Sequence, residues 1–339
     1  MTFSRVAINT LTSSPICRLM QPLRRRVVPI FLLHRFTDEH RAIQGHTQEQ
    51  LESALAYLGS HGYTVVSIRQ VVEAITSQKP LPSRSVAFTL DDGFSDQAKM
   101  LPVFESYQAP VTMFLATDML EKRHWSWDYK LEYIFRNTPF QSLELDLGTG
   151  LSTVNFSDPK DRRVLIRSLK KIHKQIPNDQ AELAVAEFSR RLKVEVPEEA
   201  PEEYEPISWE QARTLESDFV EFGPHSKRHV ILSQVSEQEA ESEILGSWEA
   251  VKKNLANPLP VFCYPSGREG VDFGSREQQI VARAGFRAAL SADPGYIDLA
   301  TPSNNNLFSL KRFSFPNDIT YFKQYCSWLE YAKECMAIA

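Results

Sequence analysis

The stretch Ser85-Val-Ala-Phe-Thr-Leu-Asp-Asp-Gly-Phe-Ser-Asp96 decides how this chain is read. Residues 85–90 form an apolar strand, and two adjacent carboxylates and Gly93 stand directly at its end. On the N-terminal side, Val27–Leu33 is an almost purely apolar run ending at His34 and reads as a buried strand. Thr47-Gln-Glu-Gln50 is a capping box that opens an amphipathic helix through Leu51, Leu55 and Leu58, ending near Gly62. A strand at 63–68 and a helix to about Thr76 lead back to Ser85. On the C-terminal side the pattern predicts a helix over 97–107 and a strand at Val111–Leu115. Strand and helix alternate with short connections, the signature of a parallel α/β sheet or barrel.

The rhythm changes over residues 118–206, which read as a large, partly helical insertion. Trp125, Trp127 and Tyr129 precede a helix to Arg136, and a hairpin follows around Gly148-Thr-Gly150. Two helices span roughly 159–175 and 179–192, the first capped by Asp158 with Pro159 at its opening position. The acidic, proline-broken run from Glu195 to Glu205 reads as a solvated linker. Alternation then resumes. Ser208-Trp-Glu-Gln211 and Ser236-Glu-Gln-Glu239 open helices, and strands are predicted at 219–223, 261–264, 286–291 and 310–313 before a C-terminal helix. The organisation is thus a basic arm (1–26), a first half-barrel (27–117), the insertion (118–206) and a second half-barrel (207–339).

Composition is that of a well-cored soluble protein, with 42% hydrophobic and 24% charged residues. A net charge of −5 gives no reason to expect nucleic acid as a partner. Cys17, Cys263, Cys326 and Cys335 have no CxxC spacing and form no disulfide framework, which suits a reducing compartment. No acidic residue occurs from Met1 to Thr37, while Arg5, Arg18, Arg24, Arg25 and Arg26 are basic. Asn9, Thr10, Thr12, Ser13, Ser14 and Pro15 interrupt the apolar residues that follow its basic start, so neither a signal peptide nor a membrane span is expected. The arm reads as a flexible or docked leader; a second reading lays Ile16, Leu19, Met20 and Leu23 on an anionic membrane surface.

Three clusters carry chemistry, each at a strand end. Asp91 and Asp92 are like charges so close that one pKa would rise unless a cation lies beside them. A bound metal resolves the conflict, with one aspartate ligating and the other staying ionised as a base. An Asp-Asp-Gly turn with a helix cap is the plainer reading. In Gly223-Pro-His-Ser-Lys-Arg-His229, two histidines four residues apart can share one side of a helical turn and chelate one ion; alone, they read as surface histidines. Phe262-Cys-Tyr-Pro-Ser-Gly267 is a turn able to aim backbone N–H groups into a cleft. Parallel α/β barrels build their active sites at strand C-termini, where all three clusters fall.

At these residues the chain resembles the polysaccharide deacetylases, the NodB-homology or carbohydrate esterase family 4 enzymes. Leu90-Asp-Asp-Gly93 is similar to the TFDDG motif, His225-Ser-Lys-Arg-His229 to H[ST]xxH, and Phe262-Cys-Tyr-Pro-Ser-Gly267 to FxYPxG. The resemblance implies a distorted parallel (β/α) barrel. It makes Asp91 the general base, Asp92, His225 and His229 the ligands of one divalent ion, and Tyr264 the donor of a backbone N–H to the oxyanion. The third motif lacks the family's Arg, and no late Leu-x-His exists, because His229 is the last histidine. The branch acting on poly-N-acetylglucosamine has a histidine after its first strand, and His34 fits that place as the acid. Arg312 is the candidate to orient Asp91 instead of the missing Arg.

The expected reaction is hydrolysis of an N-acetyl group on an acetylated glycan or glycan precursor, with zinc the default for mixed nitrogen and oxygen donors. Trp125, Trp127 and Tyr129 then offer faces on which sugar rings could stack, or else they glue the insertion to the barrel. An O-acetyl esterase on the same site and a catalytically silent glycan-binding protein are the rivals. The location expected is cytoplasmic, with the arm a candidate for peripheral contact at the inner face of the membrane.

Overall fold

β1 (Val27–Leu33) is buried along its whole length and alternates between two cores. Val27, Phe31 and Leu33 face one, Val28 and Ile30 the other, as expected of a strand covered on both sides. The computed structural model describes residues 4–12, 16, 19, 20, 27–146, 148 and 150–338. β1 pairs in parallel with β3 (Ser85–Asp92), setting Phe31 opposite Phe88. β3 pairs in parallel with β4 (Val111–Leu115), and β4 with β7 (Val220–Pro224). This register brings the ends of all four strands to one edge: Asp92 lies beside Leu115, and Leu115 beside Pro224.

β2 (Thr64–Val65) adds to β3, shorter than the strand predicted over 63–68. β8 (Val261–Cys263) and β9 (Ala288–Leu290) form a separate parallel pair. β10 (Tyr296–Asp298) runs antiparallel to β1, and no sequence pattern flagged it. The strand predicted at 310–313 is displaced: Leu310 makes only a bridge to Leu290, and β11 (Phe313–Ser314) pairs with β1. The fold is therefore a mostly parallel α/β sheet flanked by helices. Its ring is not closed by continuous ladders, since β7 and β8 are joined through the Leu259 N–H on Phe222 O (2.9 Å).

Phe31 anchors the larger core, with ring centroids 5.7 Å from Phe88 and 4.8 Å from Phe322. Fully burying one such side chain contributes roughly 1.5–3 kcal/mol. Two glycines keep this packing possible near the site. Gly93 has φ +84, and a Cβ on Gly223 would stand 2.7 Å from the Phe114 ring.

The helices Trp127–Asn137, Pro159–His173 and Asn178–Leu192 share a core of their own with the hairpin of β5 (Ser142–Asp146) and β6 (Leu151–Asn155). A further cluster joins this insertion to the barrel: Trp125, Tyr129 and Tyr204 close over Phe94, Ala116 and Met119. The acidic run is not a solvated linker. Ser95 N–H donates to Glu205 O (2.9 Å), Ile207 N–H to Gly93 O (2.8 Å), and Arg41 pairs with Glu202 (2.9 Å). Its backbone is thereby strapped across the Asp-Asp-Gly turn.

In the N-terminal arm, the helix Arg5–Leu11 is docked: Arg5 pairs with Asp318 (2.8 Å) and Trp328 Nε1 donates to Leu11 O (3.2 Å). Of the residues read as a membrane face, Leu19 is exposed, while Leu23 lies outside the described residues, as do Arg18 and Arg24–26. Among the described residues no helix is long and apolar enough to cross a membrane.

Candidate active site

Successive residues of a strand point to opposite faces, and that alternation separates the two aspartates. Asp91 faces Arg312, whose guanidinium makes a two-pronged pair: Nη1 to Oδ1 at 2.8 Å and Nη2 to Oδ2 at 2.9 Å. Arg312 is wholly buried and held by two further bonds, Nε to Ser291 O (2.7 Å) and Nη1 to Thr89 Oγ1 (3.0 Å). Burial alone would raise the Asp91 pKa, but the Arg312 charge overrides it and holds the carboxyl well below the usual range. The Cys263 thiol donates to Asp91 Oδ2 (3.5 Å).

Asp92 faces the other way and meets both histidines. Its Oδ1 lies 3.4 Å from His225 Nε2 and 3.4 Å from His229 Nε2. Its Oδ2 accepts a hydrogen bond from Tyr129 O–H at 2.6 Å. His225 Nδ1 contacts Cys263 O at 2.7 Å. A carbonyl oxygen only accepts, so Nδ1 carries the proton and the Nε2 lone pair faces Asp92. Burial, with His229 beside it, outweighs the nearby aspartates and pushes the His225 pKa down to about 4, keeping the ring neutral.

The histidine motif is not a helical turn, as its i, i+4 spacing suggested. Residues 225–229 form a loop in which Ser226 (φ 61) and His229 (φ 58) are both left-handed. Left-handed non-glycine residues cost free energy and persist only where the surroundings hold them. Here the buried Glu243 carboxylate accepts the N–H groups of Lys227 and Arg228, each at 2.9 Å, and Arg228 Nε at 2.6 Å. His225 N–H donates to Leu115 O (2.8 Å), and His229 N–H to Ser226 Oγ (3.0 Å). The loop is thereby tied to β4 and to the helix Glu237–Asn254. Asp92 itself has φ 83.

Among the described residues, two groups of side chains bring potential ligand atoms within 4.8 Å of one another: Asp91, His225 and Cys263, and Asp92, His225 and His229. Only the second suits an ion. In the first, both Asp91 oxygens are taken by Arg312. In the second, Asp92 Oδ1 is buried without a hydrogen-bond partner and two imidazole Nε2 atoms face it. An unpaired buried carboxylate oxygen is costly, and a cation among these three donors removes the cost.

His34 stands exposed at the end of β1, and the Asp91 carboxyl feels its charge. Gln97 Nε2 donates to the carbonyls of both His34 and Asp91, tying the two strand ends together. Tyr264 does not match its expected part. Its N–H is committed to Leu290 O (3.2 Å), because β8 continues its pairing with β9 one residue past Cys263, and its ring stacks on Phe273. That N–H is no free oxyanion donor. The aromatic trio is no sugar platform either. Trp125, Trp127 and Tyr129 are 1%, 3% and 8% exposed, too buried to stack on a ligand.

Sequence reasoning missed Glu243, Gln97 and the Tyr129 hydroxyl contact. None carries a local signal, since each acts through a partner on another element. A cavity of about 370 Å³ opens beside the histidine loop. It lies between His124, Trp127 and Glu182 of the insertion and Arg228, Val230 and Glu239 of the barrel.

The profile of the Polysaccharide deacetylase family matches residues 78–289. The poly-beta-1,6-N-acetyl-D-glucosamine N-deacetylase of Escherichia coli K12 is 39% identical over 61 residues, which are 18% of this chain and 9% of that protein. The chain thus matches under a tenth of that relative's length. Among solved structures, IcaB from Ammonifex degensii superposes with a TM-score of 0.55 at 14% identity, covering 88% of this chain and 97% of that one. Streptococcus pyogenes deacetylase PplD, in complex with acetate, gives 0.54 at 18% identity, covering 86% and 93%. At such identities these two likenesses speak for the fold.

Proposed function

The chain belongs to the polysaccharide deacetylase family, and from that premise we propose that it hydrolyses N-acetyl groups of an acetylated glycan or glycan precursor, with Asp92, His225 and His229 holding one divalent ion. The observation that carries this reading is the partnerless Asp92 Oδ1, buried 3.4 Å from two imidazole nitrogens. Zinc is the default for such a donor set. Bound there, the ion lowers the pKa of water and polarises the acetyl carbonyl.

The remaining chemistry belongs to the chain. Asp91 accepts the proton of the attacking water, kept ionised and fixed in direction by Arg312. His34, exposed at the strand edge, delivers a proton to the departing amine, which leaves poorly without one. Acetate and a free amino sugar result. The match to an N-deacetylase of poly-beta-1,6-N-acetyl-D-glucosamine supports an N-acetylhexosamine polymer as the substrate class. Peripheral membrane contact through the basic arm remains a separate proposal, supported by the exposed Leu19 and by the excess of arginine before Val27.

The test combines metal content with acetate release from N-acetylhexosamine oligomers and from an aryl acetate, whose leaving group needs no proton. Asp91→Asn should keep its metal and lose both activities. His34→Ala should lose amide hydrolysis by on the order of a hundred- to ten-thousand-fold and retain most ester hydrolysis. Equal loss of both activities in His34→Ala, with metal in place, would refute the acid role. Stoichiometric zinc in His225→Ala and Asp92→Ala would refute the metal site.

A further inference from the structure

Resting on the reading that Asp92, His225 and His229 hold the ion, we propose that Tyr129 is a positioning residue of the metal centre, through which the insertion makes Asp92 a one-oxygen ligand. A carboxylate has two oxygens and rotates freely about its last bond unless something fixes it. Here the Tyr129 hydroxyl donates to Oδ2 at 2.6 Å, a short charge-assisted bond, and leaves Oδ1 alone facing the two histidines. Engaging Oδ2 keeps the carboxylate from chelating through both oxygens, and so keeps a coordination position open for water or the acetyl oxygen.

The phenol is itself held firmly. Its ring packs edge-on against Phe94, two residues after Asp92, with centroids 5.0 Å apart. It also lies 5.6 Å from the Tyr204 ring. Tyr129 belongs to the first turn of the helix Trp127–Asn137, whose apolar face is embedded in the insertion's own core. The insertion is therefore more than a cover over the barrel: it supplies the bond that orients a metal ligand.

Tyr204 provides a matched control. It belongs to the same cluster, is likewise buried, and its hydroxyl has no hydrogen-bond partner among the described residues. The experiment measures zinc affinity by chelator competition, and the visible absorption of the cobalt(II)-loaded protein, for wild type, Tyr129→Phe, Tyr204→Phe and His225→Ala. Tyr129→Phe keeps the ring and its packing. Its zinc dissociation constant should rise by about 10- to 100-fold, and its cobalt bands should change as the second Asp92 oxygen becomes free to bind. Tyr204→Phe should match wild type in both. Wild-type zinc affinity and an unchanged cobalt spectrum in Tyr129→Phe would overturn the proposal, as would the same change in both tyrosine variants. His225→Ala separates the two levels. If it keeps stoichiometric zinc, the metal-site reading fails and this proposal with it; if it loses zinc while Tyr129→Phe behaves as wild type, only the positioning role fails.

Discussion

Replacing Arg312 with methionine should be among the most damaging single changes in the barrel. The guanidinium is wholly buried and makes four hydrogen bonds, two of them to the Asp91 carboxylate at 2.8 and 2.9 Å. Methionine fills much of the volume and offers no donor, so Asp91, itself 2% exposed, is left as an unpaired charge in the protein interior. Breaking a buried pair from one side costs about 3–5 kcal/mol, because the remaining charge keeps its desolvation penalty and loses its compensation. At roughly 2–4 °C per kcal/mol for a large domain, that lowers Tm by roughly 6–20 °C.

Thermal unfolding followed by circular dichroism measures this, and the double variant Arg312→Met with Asp91→Leu identifies the cause. Removing both charges leaves no orphan, so the double variant should recover most of the lost stability even though it is inactive. A fall below about 2 °C for the single variant would show that Asp91 does not depend on Arg312. A double variant no more stable than the single would place the cost in lost packing or in the bonds to Ser291 and Thr89.

Three other changes probe the shell around the site. Glu243→Gln removes the charge that three donors share, and should cost about 1.5–3 kcal/mol and weaken zinc binding in a chelator titration, because the histidine loop loses its tether. Trp125→Ala should lower stability by about 3–5 kcal/mol in denaturant titrations while leaving KM unchanged, since the ring is buried and its Nε1 is bonded to Pro197 O (3.1 Å). Lys170→Met should destabilise the insertion at neutral pH and progressively less in acid. Burial would raise the Asp128 pKa, yet the Lys170 charge holds it below the usual range. The stability so contributed is present above the unfolded value near 3.9 and lost as pH falls through the lower folded value. The Tm gap between variant and wild type should therefore close below about pH 4.

What the sequence could disclose was local. Apolar runs and capping boxes marked β1, β3, β4 and their helices, and the three motifs fall at the ends of β3, β7 and β8. Short pairings were less legible. β10 has three residues and β11 two, too few to show a period, so their register is set by the β1 backbone they join. The histidine loop defeated a spacing argument because Lys227 and Arg228, between its left-handed Ser226 and His229, are held by Glu243, which follows His229 by fourteen positions and lies on another element. Tyr264 defeated a motif argument for a similar reason. Whether a turn's N–H is free depends on how far the adjoining ladder runs, and here it runs one residue further.

The adjacent aspartates show where the sequence argument stopped short. Charge repulsion between neighbours predicts a cation, and from the motif alone a metal is the remedy, bound by one aspartate with the other left ionised, while Arg312 is offered separately as the group that orients Asp91. The fold sets them apart: strand alternation turns Asp91 to Arg312, the partner the sequence offers for it, and leaves Asp92 Oδ1 facing Nε2 of His225 and of His229. The separation has a chemical consequence. A carboxylate held so low by a two-pronged arginine is a weak base, with little tendency to take a proton from ordinary water. Oδ2 takes both Arg312 and the Cys263 thiol, but Oδ1 still has a lone pair beyond the one given to Arg312, so on the proposed reading Asp91 accepts a proton through Oδ1, and only from a water already made acidic. If Asp91 is the base, the pairing that stabilises it therefore puts the activation on the Asp92 side, where the unmet acceptor lies. Under the proposed mechanism, orientation of the base and acidity of the water are supplied by separate residues, and neither half would suffice for amide hydrolysis alone.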